Sequence, residues 1–162
     1  MSEIVTNRMI LIIVNIITAL LLIFTVPKDK LREASVMFFF KQTITWSFGL
    51  LVVEWGLIKY PVREFVKADA TSFSFEYFIY PSLCVIFNLR YPKGEKWKKA
   101  VWILGFPTVM TILEVIIEHN TDLIKYVHWS WYLTWITLLL TFLISRLYFV
   151  WIYKKSDKKY TW

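Results

Sequence analysis

Five long apolar runs decide what this chain can fold into. They cover residues 9–26, 36–58, 73–89, 100–117 and 129–153. Each is close to the roughly 17–25 helical residues that cross a hydrocarbon layer about 30 Å thick. In lipid the backbone finds no water, so each run must satisfy its own N–H and C=O groups and is expected to be a helix. The expected fold is all-α: one polytopic domain over residues 1–162, with five transmembrane helices in one bundle. Composition agrees, since the chain is 57% hydrophobic with a mean hydropathy of +0.51, against about 45–50% apolar residues in soluble domains.

Proline marks several edges. Pro27, Pro61 and Pro92 follow the first three runs, and proline cannot continue a helix as donor. Pro81 and Pro107 fall inside the third and fourth runs, where kinks are expected. The first run starts behind Arg8 and ends in TVPKDK without a small-residue cleavage pattern, so it reads as a retained span. No lipidation motif is visible. Cys84 is the only cysteine, which excludes an internal disulfide and a cysteine metal cluster.

The basic residues set an expected orientation. Lys28, Lys30 and Arg32, then Arg90, Lys93, Lys96, Lys98 and Lys99, then Lys154, Lys155, Lys158 and Lys159 put twelve on one side. Arg8, Lys59, Arg63, Lys67 and Lys125 put five on the other. The excess belongs in the cytoplasm, so the N-terminus is expected outside and the C-terminus inside. The formal charge of +7 then reads as basic flanks facing anionic lipid headgroups on the cytoplasmic side, with no nucleic acid as partner. The longest outer loop, 59–72, is mixed in charge and is expected along the interface. Trp129, Trp131 and Trp135 at one end of the fifth run, and Trp151 at the other, suit the headgroup depth.

Every run carries a polar seam. The longest is Ser130, Thr134, Thr137, Thr141, Ser145 and Tyr148, at helical spacing. Such seams are either packing contacts between helices or the lining of a polar cavity.

The carboxylates are more specific. Glu54, Glu76, Glu114 and Glu118 come from three runs, all within about 6 Å of the outer boundary at 1.5 Å per residue. His119 and His128 share that level, and Asn15 is slightly deeper. Glu54, Glu76, Glu114, Glu118, His119 and Asn15 are therefore the candidate ion- or proton-binding residues. The group could hold a hard cation or share protons. Equally, these acids could pair at the interface with Lys59, Arg63, Lys67 or Lys125. Glu-x-x-His and His-x-x-x-His spacings are absent, so no transition-metal site and no cofactor is expected. At the inner end, Lys41, Arg146 and Asn88 are candidates for binding a lipid or anion. No Gly-rich phosphate loop, Gly-x-Ser-x-Gly or HExxH is present, which leaves no familiar catalytic pattern.

The segment EWGLIKYPVREFVKADATSFSFEYFIYPSLCVIFNLRYP (54–92), with Glu114 and TDLIKYVHWSWY (121–132), carries a resemblance. It resembles an uncharacterised family of small multi-span membrane proteins from spore-forming Gram-positive bacteria, named after a clostridial locus. The resemblance covers most of the chain. It implies a bacterial cytoplasmic membrane and a sporulation or envelope context, and it transfers no catalytic residues. The function expected first is non-catalytic binding of a partner, lipid or ion. The alternatives are a transporter or channel component using the outer carboxylates, and a lipid-modifying enzyme. Transport by five spans would call for a homo-oligomer or a membrane protein partner.

Overall fold

The computed structural model describes residues 2–153; the tail lysines Lys154, Lys155, Lys158 and Lys159 lie outside the described residues. Helix α1 (Ser2–Thr25) leads through a 3-10 turn (Lys28–Lys30) into α2 (Leu31–Glu54). A two-residue strand β1 (Ile58–Lys59) follows. A π-helical segment (Phe73–Ile79) runs directly into α3 (Tyr80–Leu89). Then come α4 (Lys96–Asn120), strand β2 (Lys125–Tyr126) and α5 (Trp131–Tyr153). The fold is all-helical apart from β1 and β2. Four helices are long and apolar enough to cross a membrane, within Ile4–Thr25, Lys28–Glu54, Lys96–Asn120 and Trp131–Tyr153. The apolar stretch Phe73–Leu89 is shorter.

That short element is the centre of the bundle. α3 packs on α1, α2 and α5 and buries Pro81, Ser82, Cys84, Val85, Phe87 and Asn88. The longer helices turn large apolar side chains outward, among them Ile12, Phe39, Leu113 and Leu140. An apolar exterior of this extent is the surface expected against lipid. Inside, Phe87 packs on Phe142 with ring centroids 4.8 Å apart and on Phe106 at 5.4 Å. A second apolar cluster at the other end includes Leu11, Val52, Phe75, Leu123 and Ile124.

The second helix ends earlier than its hydropathy implies. The apolar run extends to residue 58, but α2 stops at Glu54 because Gly56 turns the chain with φ +68°. Leu57 N–H then bonds Val52 C=O (3.0 Å) and Gly56 N–H bonds Val53 C=O (2.9 Å). This is a Schellman termination, which closes the last carbonyls of a helix with glycine in the left-handed region. Ile58 and Lys59 are released to pair antiparallel with Tyr126 and Lys125.

Pro81 explains the π-helical segment. It has no N–H, and its ring crowds the carbonyl four residues back, that of Tyr77. The carbonyls of Glu76 and Tyr77 therefore need other donors, and α2 supplies both. Thr45 Oγ1 donates to Glu76 C=O (2.7 Å), and Gln42 Nε2 donates to Tyr77 C=O (3.0 Å). Thr45→Val keeps the shape and strands a buried carbonyl, so it is expected to cost about 1–3 kcal/mol. Thr43→Val is the control, because the exposed Thr43 bonds only Phe39 C=O of its own helix, and a change within about 0.5 kcal/mol is expected. Thermal unfolding in detergent checks the contrast.

The loop after β1 is tied down by Arg63. Its guanidinium donates to the carbonyls of Tyr60 (2.8 Å), Asp69 (2.8 Å) and Val66 (3.2 Å). Asp69 in turn accepts from Thr71 N–H and Oγ1. Glu64 accepts from the backbone N–H and hydroxyl of Ser74. This loop delivers Tyr60 into the interior, where only 4% of its surface is exposed.

Candidate functional site

Two carboxylates face one small cavity inside the bundle. Glu76 comes from the π-helical segment and Glu114 from α4; they are 7% and 9% exposed. The cavity is about 60 Å³ and is lined also by Thr45, Gly49, Tyr60, Tyr80, Trp129, Thr134 and Thr141. That is room for a few water molecules, since one needs roughly 10–15 Å³ by the same measure.

The donors around the two acids are neutral hydroxyls. Tyr80 O–H donates to Glu114 Oε2 (2.5 Å). Tyr126 O–H (2.6 Å) and Thr134 O–H (2.9 Å) both donate to Glu114 Oε1. Trp129 Nε1 donates to Thr134 Oγ1 (2.8 Å), so Thr134 is held with its own proton toward the acid. Glu76 Oε1 accepts one bond, from Tyr60 O–H (3.0 Å). Tyr60 and Tyr126 lie in the connections outside the long helices. Burial, then the charge of Glu76, holds the Tyr60 phenol well above its ordinary value. Burial and the Glu114 charge do the same to Tyr126. Both therefore remain O–H donors throughout the physiological range.

Lys41 completes the group. It is fully buried, its Nζ donates to Thr141 Oγ1 (2.5 Å), and it lies 4.8 Å from the Phe142 ring centroid. Thr141 lines the cavity, so Lys41 reaches the cavity wall through this bond. From the sequence, Lys41 is expected near the inner end with Arg146. Because α2 begins at Leu31, Lys41 is instead about 15 Å along it, near its middle.

The other expected residues divide. Asn15 Nδ2 donates to Ser74 Oγ (2.5 Å) and Leu11 C=O (2.8 Å), joining α1 to the π-helical segment. Glu54 is exposed on the last residue of α2 and stays apart from Glu76 and Glu114. The cavity meets α2 at Thr45, Gly49 and Val52, a different side of the helix from Glu54. Glu118 is half-buried, and its backbone carbonyl accepts from Lys125 Nζ at 3.4 Å. His119 is exposed and lines a polar surface pocket with Asn7, Asp122 and Lys125. Arg146 and Asn88 do meet: Arg146 Nη1 donates to Asn88 C=O (3.4 Å), with the guanidinium 3.9 Å over the Tyr91 ring. Both are buried, at 2% exposure each.

Interfacial pairing does not describe the two buried acids. The ion pairs among the described residues are Lys30–Glu33, Lys98–Glu95 and Lys125–Asp122. Arg63 is committed to backbone carbonyls instead. Among the described residues no group of three or more His, Cys, Asp or Glu could hold a metal ion. What the arrangement can do is hold a proton or a few waters between two carboxylates.

Gly49 fits against Glu76. A Cβ there would stand 2.9 Å from Glu76 Cδ. Helix propensity alone makes Gly→Ala stabilising by about 1 kcal/mol. Overpacking by one methyl costs about 1–3 kcal/mol, so Gly49→Ala is expected to be net destabilising and to displace the Glu76 carboxylate. Gly105→Ala, which meets open space in α4, is expected to stabilise. Opposite signs in parallel unfolding measurements check this.

Comparison of the chain with protein-family models, curated proteins and solved structures finds no match.

Proposed function

We propose that this chain is a five-span protein of the bacterial cytoplasmic membrane, N-terminus outside, that binds a proton at Glu76 and Glu114 without catalysis. One observation carries the reading: two carboxylates from different elements are buried on one cavity with only hydroxyl donors around them. An ionisable group kept inside membrane-spanning helices is by default part of an ion or proton site.

Several features support the finer points. Arg90, just past α3, reaches Thr25 C=O at the end of α1 (2.8 Å), as it should if both helices run the same way. Strands β1 and β2 pair at the opposite end, as five alternating spans require. The basic residues favour the Arg90 end of α1 and α3 as cytoplasmic. A proton suits the site better than a metal ion. A metal ion needs lone pairs facing it, and both oxygens of Glu114 already face O–H groups. Charge supports a single proton, because Glu76, Glu114 and Lys41 together carry one excess negative charge when all are ionised. Glu76, with a single donor, is its site.

Unfolding stability against pH tests this. In the unfolded chain both acids are hydrated and ionised near pH 7, so the folded state holds one more proton. Stability then falls as pH rises above the ordinary carboxylate range, by about 1.4 kcal/mol per pH unit at most, and levels off once that proton has left the folded state. Glu76→Gln is expected to flatten the slope. Identical slopes in wild type and Glu76→Gln would overturn the assignment.

A further inference from the structure

A much larger cavity lies away from the carboxylates. Helices α1 and α2 diverge from the turn that joins them, because α1 packs on α3 and the π-helical segment rather than on α2. The wedge between them is about 480 Å³. Its walls are apolar, with Leu22 and Val26 from α1, Phe38 and Phe39 from α2, and Val85 of α3 as its floor. It offers length without polar groups along most of it. At its polar end stands Lys28, exposed and outside every ion pair among the described residues. Around that end are Lys30, Arg32 and Arg90 against Asp29 and Glu33, and Glu33 is already held by Lys30 (2.8 Å).

We infer that the wedge holds one acyl chain of an anionic phospholipid whose phosphate meets Lys28. The shape fits a chain, and the charge selects the headgroup. A second copy of the protein would bring the same cationic turn against this end, which the excess of bases disfavours. The inference rests on the membrane reading and is independent of the carboxylate pair. It also moves lipid recognition away from Arg146, Lys41 and Asn88, which the fold encloses.

Native mass spectrometry of the protein from vesicles of equal phosphatidylglycerol and phosphatidylcholine tests it. The expected result is one retained phosphatidylglycerol per protein. Lys28→Glu, on the exposed turn, is expected to weaken retention on the order of tenfold or more. Ser35→Trp, on the exposed rim of the wedge, is expected to block the chain and lose retention whatever the headgroup. Equal retention of both lipids, or retention unchanged in both variants, would overturn the inference. So would a dimer that Ser35→Trp dissociates. Unfolding temperatures near wild type show that both variants are folded.

Discussion

Glu114→Gln is expected to lose about 2–4 kcal/mol of stability, while Glu76→Gln stays within about 1 kcal/mol of wild type. The two changes are chemically identical, and the difference comes from the donors. Glu114 receives three O–H groups over both oxygens. A glutamine offers one acceptor oxygen and one NH₂, so its amide must confront at least one hydroxyl that was donating. Either Tyr80 or the pair Tyr126 and Thr134 then turns its proton toward surroundings with little to receive it. Glu76 receives only Tyr60. In Glu76→Gln the amide oxygen can take that bond and leave the NH₂ to the cavity. Equilibrium unfolding in mixed micelles measures both. Equal losses would mean that the hydroxyl arrangement around Glu114 contributes nothing.

The second large effect is expected outside the bundle. Arg63→Ala removes a cation from three backbone carbonyls at once. Hydrogen bonds from charged groups contribute about 1.5–3 kcal/mol each. Arg63 is only half-buried, so a total loss of about 3 kcal/mol is expected. Much of it is local. Amide hydrogen exchange is expected to speed up across residues 60–72 and to leave the middle of α5 unchanged. Because this loop places Tyr60 on Glu76, the variant is also expected to disturb the carboxylate cavity. Uniform protection along the chain would show that the loop is held by something other than Arg63.

The helices are legible in the sequence because lipid-length apolar runs leave the backbone few choices. The run 73–89 coincides with the π-helical segment and α3, and 129–153 nearly coincides with α5. The boundary at residue 58 is not legible. It depends on Gly56 entering the left-handed region and on a strand partner far along the chain, neither of which hydropathy registers. Residue counting assigns the acids to one level, and Glu76 and Glu114 do line one cavity. Their separation from Glu54 is not readable, because depth fixes a level and says nothing about which side of a helix meets its neighbours. The roles of Tyr60, Tyr80 and Tyr126 are hidden for another reason. Tyrosine at a membrane boundary is common enough that its sequence position cannot distinguish a ring in the headgroups from a hydroxyl on a buried carboxylate. The available signal is Tyr80 next to Pro81, since a proline inside a span frees carbonyls that other helices must serve. Gly49 has a weaker one, as one of only four glycines in the chain.

A single proton held between Glu76 and Glu114 inside the bundle is the central claim. Infrared difference spectroscopy of the protein in bilayers, stepped from alkaline to acidic pH, reads it directly through the C=O stretch of a protonated, buried carboxyl group. One such band is expected to appear in wild type, to be absent from Glu76→Gln, and to survive in Glu54→Gln. A band unaffected by Glu76→Gln, or no buried carboxyl band at any pH, would contradict the account.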